Sequence, residues 1–268
     1  MKLPLNNLNY PVKISVGNST GSGFLISFNS NIYLVTAKHV LYQQDGATKI
    51  FSLYGDNLRI TCYTFLEKQS QHDPIIYEVD LKIISSNNNL KFHPTADIVI
   101  IKLGVLDEKA LLNYIPGISK IQESSGAVVH YSMDLSRKFD EIEITNNVFV
   151  LGYPVSLSTV EMKQINYDTP LVRKGIIAGK NYDNKTVILD CPVYGGNSGG
   201  MVLEINQDNA GKVSIHLIGV VVQFIPFVDQ WRNVRFPELY NSNFQNSGYS
   251  VALPVDYIFD LIQEIGIV

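Results

Sequence analysis

Residues 191–200 read Cys-Pro-Val-Tyr-Gly-Gly-Asn-Ser-Gly-Gly, and the apolar run Met201–Leu203 follows directly. A single serine, Ser198, therefore lies among four glycines. Glycine permits backbone conformations that a Cβ forbids, and it lets other groups approach the main chain closely. Such a turn can direct several N–H groups into one small space beside the hydroxyl, as a hydrolase requires where a carbonyl oxygen becomes negative. Taken alone, the pattern is equally typical of an ordinary turn between strands, so a base and an acid elsewhere must decide.

The composition excludes several functional classes. The chain has 268 residues, of which 46% are hydrophobic and 17% are charged, which is typical of a soluble globular protein with ample core. Its formal net charge of −4 argues against a nucleic-acid binder or a protein that binds anionic membranes. The first residues lack the apolar core of a signal peptide, and no run approaches the ~20 apolar residues of a membrane span. We therefore expect a cytoplasmic protein without nucleic-acid or membrane partners.

The cysteines and histidines point to neither a disulfide scaffold nor a metal site. Cys62 and Cys191 are the only cysteines, which indicates a reducing compartment, although one bridge between them stays open. We interpret Cys191 as a packed strand end rather than a nucleophile. The cysteines and histidines lack metal-ligand spacing, so we predict neither a metal nor an organic cofactor.

Short β-type runs separated by Gly/Asn/Ser turns fill most of the chain. Val12, Ile14 and Val16 alternate with polar residues, which is the pattern of a half-buried strand. Only the tail has helical spacing, with an apolar face that includes Ile258 and Ile262. The pattern predicts an all-β sandwich or barrel fold. We expect a single domain over 1–268 with four parts. These are an N-terminal β-barrel at 1–105, a connector at 106–145 with a short helix near 107–114, a C-terminal β-barrel at 146–253 and a C-terminal α-helix at 254–268.

Three groups along the chain supply a nucleophile, a base and an acid. His39 follows the third predicted strand, Asp97 precedes the β-branched strand Ile98–Leu103, and Ser198 lies in the glycine turn. A serine hydroxyl becomes a good nucleophile when a neighbouring imidazole takes its proton. A carboxylate then fixes the imidazole tautomer and stabilises the imidazolium. We predict that the backbone N–H groups of Gly196 and Ser198 form the oxyanion hole.

Other residues of the same types lack such a context. The remaining histidines have no companion motif, and we expect them to be surface or structural residues: His72, His93, His130 and His216. Asp73 and Asp80 could compete with Asp97, but neither precedes a β-branched strand.

These motifs resemble those of the chymotrypsin-like (trypsin-fold) serine proteases. The segments Thr36–Val40, Ala96–Leu103 and Gly196–Gly200 are similar to the histidine, aspartate and nucleophile motifs of that family, and they follow in its order. The likeness is to bacterial trypsin-like peptidases, including the protease domain of HtrA proteins. Further similar segments extend it from about residue 10 to the end of the sequence: Ser22–Ile26, Val148–Pro154, Lys174–Ala178 and Ser250–Pro254.

The resemblance implies a fold, an activity and a substrate. The fold is a double six-stranded Greek-key β-barrel with a C-terminal α-helix, and the activity is that of a serine endopeptidase that acts on a protein or peptide through an acyl-enzyme. By resemblance, Val193 and Tyr194 lie at the base of the substrate pocket, and Val222, Gln223 and Phe224 form its wall. None of these is acidic, so a preference for Arg or Lys is disfavoured. Phe224 makes the pocket shallow, and we expect a small or medium apolar residue before the scissile bond.

The sequence also departs from the family. Asn197 stands where digestive proteases carry an aspartate that pairs with a new N-terminus, so we expect no activation by N-terminal cleavage. No PDZ domain follows within this sequence. Lys38 replaces a small residue before the histidine; we expect it to point to solvent, and the alternative is that it perturbs His39. Pro226–Ser247, which includes Trp231, is an insertion that we expect to be a long functional or mobile loop.

Two alternatives to a constitutive protease stay open. One is a binding or scaffold module that keeps the protease fold without turnover. The other is a latent protease that a partner protein or ligand activates by remodelling the Pro226–Ser247 segment.

Overall fold

The structure is a computed structural model that describes residues 2–63, 74–123, 128–154, 164–166, 169–207, 211–236 and 238–265. The described chain is mostly β, with few helices and a C-terminal helix, as predicted for the trypsin-like fold. None of the described helices is both long and apolar enough to cross a membrane.

The N-terminal half is a curled sheet. Alternation of buried and less buried residues builds its strands; in the first of them Val12, Ile14 and Val16 are buried. The elements of this half are β1 (Pro11–Val16), β2 (Ser19–Phe28), β3 (Asn31–Thr36), α1 (Lys38–Leu41), β4 (Tyr42–Gln44), β5 (Phe51–Leu53), β6 (Asn57–Cys62), β7 (Ile75–Asp80), α2 (Leu81–Ser86), β8 (Leu90–Phe92), β9 (Val99–Leu106), β10 (Leu112–Tyr114), β11 (Ile118–Gln122) and β12 (Tyr131–Ser132).

Within the described residues, backbone pairing does not join the two ends of this sheet, and side chains make the contact between them. The sheet runs β10-β9-β3-β2-β1-β6-β7-β11, while β8 pairs with β9, and β12 pairs with β2. Curling brings Tyr77 of β7 next to Tyr114 of β10, and their hydroxyl oxygens lie 2.7 Å apart. β4 and β5 form a separate two-stranded sheet beside α1.

The C-terminal half is a barrel that backbone hydrogen bonds close completely. Six described strands follow one another around it in the order β13-β14-β15-β18-β17-β16. Their bounds, and that of the final helix, are β13 (Asn147–Gly152), β14 (Leu171–Asn181), β15 (Thr186–Asp190), β16 (Met201–Gln207), β17 (Val213–Arg232), β18 (Tyr240–Pro254) and α3 (Asp256–Ile265). The predicted all-β fold of the double-barrel, trypsin-like type with a C-terminal helix is therefore confirmed; backbone pairing closes the C-terminal barrel, and the N-terminal unit is a ten-stranded curled sheet in the described part of the chain.

Three apolar clusters hold these units together. One fills the N-terminal sheet and includes Ile14 and Ile60, and another fills the C-terminal barrel and includes Val150 and Leu189. The third lies between the halves, where residues of β2, β3 and β9 pack against β13, β16, β17 and the apolar face of α3. Because that face is buried at i, i+3, i+4 and i+7, helix α3 joins the two halves: Ile258, Leu261, Ile262 and Ile265.

Two predicted local structures were wrong. In place of a helix near 107–114, Asp107 begins a turn that leads into β10. Its Oδ1 accepts hydrogen bonds from the backbone N–H groups of Lys109 and Leu111, each at 2.8 Å, and such side-chain bonds compete with helix formation. The Pro226–Ser247 insertion is a projecting pair of strands rather than a loop, since β17 and β18 stay paired from Pro226↔Asn246 to Arg232↔Tyr240.

Candidate active site

His39 and Asp97 are brought together by the pairing of two neighbouring strands. β3 and β9 are antiparallel, with Thr36 opposite Val99, so the end of β3 meets the beginning of β9. His39 follows β3 in the single turn α1, and Asp97 precedes β9. Their contact therefore belongs entirely to the N-terminal half.

Both carboxylate oxygens of Asp97 hold His39. Oδ2 lies 2.5 Å from Nδ1 of the imidazole, and Oδ1 accepts the backbone N–H of His39 at 2.9 Å. A carboxylate at Nδ1 favours the tautomer that carries hydrogen there, which leaves Nε2 free to accept a proton. The side chains of His39 and Asp97 are 47% and 36% exposed, so the pair lies open to a substrate.

Lys38 does not point to solvent, contrary to our expectation. The residue is only 6% exposed, and its Nζ lies 3.7 Å from the ring centroid of Phe51 and 4.5 Å from that of Phe92. Ring faces attract a cation, which explains the position. Burial lowers the pKa of Lys38, and the nearby Asp97 carboxylate acts in the opposite direction. A partly desolvated cation thus lies beside the His39–Asp97 pair.

Ser198 lies in a double turn between β15 and β16. The backbone N–H of Asn197 donates to the carbonyl oxygen of Tyr194 at 2.9 Å, and that of Gly200 donates to Asn197 at 2.8 Å. Gly199 has φ +84°, and a Cβ there would collide with the carbonyl oxygen of Ser22. The glycine is therefore required by both backbone conformation and space.

The turn leaves unoccupied N–H groups beside the Ser198 hydroxyl. The N–H groups of Asn197, Gly199 and Gly200 are committed to carbonyl oxygens of the protein. Those of Gly196 and Ser198 have no hydrogen-bond acceptor among the described residues. Two N–H donors near one nucleophile are the arrangement that stabilises an oxyanion.

The hydroxyl of Ser198 is bonded to the C-terminal barrel rather than to His39. Its Oγ donates to the carbonyl oxygen of Val222 at 3.5 Å. Val222 in turn lines a cleft of about 520 Å³ together with His39 and Asp97. The two halves come close together at Gly21. A Cβ on this residue would fall 2.8 Å from the side chain of Val40, in the N-terminal half, and 3.3 Å from the carbonyl oxygen of Ser198, in the C-terminal half. His39 and Asp97 thus line a cleft with Val222, and Val222 is the residue whose carbonyl oxygen accepts the hydrogen bond from Ser198.

Two residues that support this site were not identified from the sequence. The hydroxyl of Ser22 donates to the carbonyl oxygen of Gly196 at 2.6 Å and accepts the N–H of Tyr153 at 2.7 Å, so it fixes the turn that carries Ser198. Nδ1 of His93 accepts the N–H of Ala96 at 2.9 Å, which shapes the segment before Asp97. The sequence signal for this contact was the position of His93, which lies three residues before Ala96 and four before Asp97.

Only some of the predicted pocket residues line the cleft that His39 and Asp97 share. Val193 is buried, and Tyr194 lies under the guanidinium of Arg173, 4.4 Å from ring centroid to Cζ. Val222 and Gln223 line the cleft with His39, whereas Phe224 is largely exposed at the root of the projecting strands.

Asn197 is buried next to Ser198 with no partner for its side chain. It is 1% exposed, and neither Oδ1 nor Nδ2 has a hydrogen bond within the described residues. Such a group is costly to bury.

The two cysteines are free, buried and separate. Burial raises the pKa of Cys62 to about 12 and that of Cys191 to about 11; for Cys191, Arg173 acts in the opposite direction. Neither thiol therefore has the character of a nucleophile. Among the described residues, no group of three or more His, Cys, Asp or Glu is placed to hold a metal ion.

Comparison with known proteins adds a family to this geometry. A family model described as a trypsin-like peptidase domain matches residues 21–211. Similar solved structures include the HtrA-type protease AlgW with a tripeptide (16% identity, TM-score 0.49, 96% of this chain and 60% of that chain) and Deg5 (15% identity, TM-score 0.48, 95% and 88%). This chain thus spans about 60% of the AlgW chain. No curated protein matches the sequence.

Proposed function

This chain belongs to the trypsin-like peptidase family, and from that membership we propose that it is a serine endopeptidase that uses Ser198, His39 and Asp97. The observation that carries the proposal is the double contact between Asp97 and His39. Because Asp97 occupies Nδ1, Nε2 of the imidazole is available to take a proton in the cleft that His39 and Asp97 line together with Val222. The substrate is a protein or a peptide.

The reaction proceeds in two balanced steps. Oγ of Ser198 forms a bond to the peptide carbonyl carbon while Nε2 of His39 takes the hydroxyl proton, and Asp97 stabilises the imidazolium. The N–H groups of Gly196 and Ser198 donate to the oxyanion. The C–N bond then breaks as His39 returns the proton to the departing amine. Water, deprotonated by His39, attacks the acyl-enzyme and releases the acid product.

The pocket favours an apolar residue before the scissile bond. Val193, Tyr194 and Val222 supply apolar surface and no carboxylate. The guanidinium of Arg173 over Tyr194 adds a positive charge near the pocket base, which disfavours a Lys or Arg side chain there. Beyond the pocket, the free edge at Gln223 and Phe224 pairs with the main chain of an extended substrate.

A serine-directed fluorophosphonate and a peptide library test the proposal together. Wild-type protein should be labelled on Ser198 and should cleave peptides, whereas Ser198→Ala should lose cleavage by roughly 10⁶-fold. Ser52→Ala, which changes an exposed serine on β5, is the matched control and should keep both activities. Cleavage that persists in Ser198→Ala would exclude the proposed nucleophile.

A latent protease is the second candidate. It is favoured by the bond from Ser198 Oγ to Val222 and by the unpartnered amide of Asn197, because both describe a nucleophile turn that is not yet arranged for attack. In that case, labelling of Ser198 should be slow and should accelerate when an activating partner or a substrate-like peptide is added. A scaffold without turnover would stay unlabelled under both conditions.

A further inference from the structure

The ends of β17 and β18 form a two-stranded arm that projects from the barrel. Pairing of β17 with β16 ends at Val220, and pairing of β18 with β15 ends at Tyr249. Beyond these points the two strands pair only with each other within the described residues. We call the segments 223–232 and 240–248, with the connection between them, the arm.

The arm exposes apolar side chains and an unpaired strand edge. Phe227 is 56% exposed, and Trp231, four residues further along the same face, is 67% exposed. A two-stranded ribbon has no core of its own and is marginal in water. Free edges with apolar side chains are ready templates for another strand, and proteins usually cover or charge them. The arm carries a few charges of both signs, but none of the described residues covers its exposed aromatic side chains or the outer edge of β17, so this surface is open to another extended chain.

The free edge of β17 begins where the Ser198 turn ends. On that edge, the N–H of Gly199 donates to Val221 at 2.8 Å, and the N–H of Val221 donates to Gly200 at 2.9 Å. The carbonyl oxygen of Val222, the next residue along this edge, accepts the hydrogen bond from Ser198 Oγ. From Gln223 outward the edge is unpaired for ten residues, roughly 33 Å of extended chain. The arm is therefore a direct extension of the candidate active site.

The reaction geometry decides which part of a substrate reaches this edge. His39 must protonate the departing amine, and it belongs to the N-terminal half. The segment after the scissile bond therefore leaves on the side of His39. The segment before that bond lies against Val222 and Gln223, which line the cleft with His39, and continues from there toward the arm.

The root of the arm is fixed to the pocket. Nδ2 of Asn246 donates to the carbonyl oxygen of Val193 at 2.6 Å, and Ser247 Oγ donates to that of Ile225 at 2.5 Å. The N–H of Gly248 also donates to Asn246 Oδ1 at 2.9 Å. These bonds hold the arm in one orientation relative to Val193.

We propose that the edge of β17 from Gln223 to Arg232 binds the segment of an extended, apolar polypeptide that precedes the scissile bond, as an added antiparallel strand. This rests on the proposed endopeptidase function. Phe227 and Trp231 contact the apolar side chains of the bound segment. The arm carries two acidic and two basic residues, Asp229, Glu238, Arg232 and Arg235, so its net charge of zero selects no charged partner. Unfolded polypeptide has the required chemistry.

Trp231 reports occupancy directly, because it is the only tryptophan in the protein. We would titrate full-length Ser198→Ala protein with a twelve-residue apolar peptide that extends upstream of a cleavage position, and with the same peptide lacking its first six residues. The long peptide should shift the emission of Trp231 to shorter wavelength and bind at least about tenfold more tightly. Proline at alternate upstream positions should abolish this advantage, because it removes the strand hydrogen bonds.

Two phenylalanines on the arm provide a matched pair of variants. Phe227→Ser, on the free-edge strand, should weaken binding of the long peptide by about tenfold. Phe244→Ser, on the other strand and 67% exposed, should leave it nearly unchanged. Equal effects of the two variants would overturn the proposed edge, and so would a Trp231 shift that depends on protein concentration without peptide, since a second copy would then be the occupant.

Fluorophosphonate labelling of the wild type separates the two proposals. If Ser198 is labelled but long and short peptides are cleaved equally well and leave Trp231 unchanged, the arm proposal fails and the endopeptidase stands. If Ser198 is unreactive and nothing is cleaved, but the long peptide still binds in the Phe227-dependent manner, the arm is supported as a peptide site and the endopeptidase fails.

Discussion

The two halves of the molecule contribute different parts of the site and are closed in different ways. The C-terminal barrel is closed by backbone ladders, and it carries the Ser198 turn, in which the N–H groups of Gly196 and Ser198 have no acceptor in the described part of the chain. The N-terminal sheet is joined at its ends by the contact between the hydroxyls of Tyr77 and Tyr114, and it carries the complete His39–Asp97 pair.

The contact between His39 and Asp97 forms within one half and does not depend on the half that carries Ser198. Neighbouring strands β3 and β9 bring His39 and Asp97 together whatever the position of the barrel. Ser198 belongs to the other half, and its position relative to this pair depends on packing of the cluster between the halves, which includes Ile98, Leu203 and Ile258. If the chain is the proposed protease, the placement of the two halves therefore sets the distance between nucleophile and base.

The largest expected effect comes from the N-terminal half alone. Asp97→Asn keeps an oxygen for the backbone N–H of His39 but removes the charge that stabilises the imidazolium, so kcat/KM should fall by about 10⁴-fold. Steady-state kinetics on a peptide substrate measures the loss. Asp56→Asn, which breaks an exposed ion pair with Lys82 in the same half, is the control and should retain full activity. A loss under tenfold for Asp97→Asn would contradict the assigned pair.

A smaller effect tests the side-chain closure of the N-terminal sheet. Burial, followed by the hydrogen bond with Tyr114, raises the pKa of Tyr77. Because the folded pKa lies above the unfolded one, the contribution of Tyr77 to stability is complete below about pH 10 and is lost as the pH rises further. Tyr77→Phe should lower the free energy of unfolding by about 1 kcal/mol at pH 7.

Urea unfolding between pH 7 and 11 measures both parts of that prediction. The variant should lose less stability above pH 10 than the wild type, because the titrating group is gone. Tyr182→Phe, at an exposed position on the C-terminal half, should not change stability at pH 7. An alkaline loss in Tyr77→Phe as steep as that of the wild type would show that other groups are responsible.

A further difference between the two halves is expected in how they open. Cys62 lies in the N-terminal cluster and Cys191 in the C-terminal one. With pKa values raised to about 12 and about 11, both thiols should react with iodoacetamide at pH 8 about a hundredfold or more slowly than an exposed cysteine. In urea below the unfolding midpoint, Cys62 should become modified first, since no backbone ladder closes its sheet.

Mass spectrometry of the alkylated peptides assigns each site, and Cys62→Ala and Cys191→Ala confirm the assignments. Simultaneous modification of both thiols would mean that the halves open as one cooperative unit, contrary to the proposed difference.

The predictions from sequence succeeded where one local pattern decides the structure. Alternation gave the strands around Val12–Val16, and the spacing of Ile258 and Ile262 gave the final helix. They failed where a distant or competing group decides. Lys38 is held by the rings of Phe51 and Phe92, and the segment after Asp107 turns because that side chain captures backbone N–H groups. The projecting arm was missed because, beyond its root, its two strands pair only with each other in the described part of the chain.

By itself, the sequence determined which chemical groups the protein carries and the turn that presents Ser198, because glycine positions and short motifs act on the backbone locally. Only the tertiary structure decided that the Ser198 hydroxyl bonds to Val222, that the buried Asn197 amide has no hydrogen-bond partner among the described residues, and that a strand edge continues from the site along the arm. These depend on how two separately folded halves pack and where strand ladders end. Such relations join residues far apart in the chain, and no local pattern encodes them.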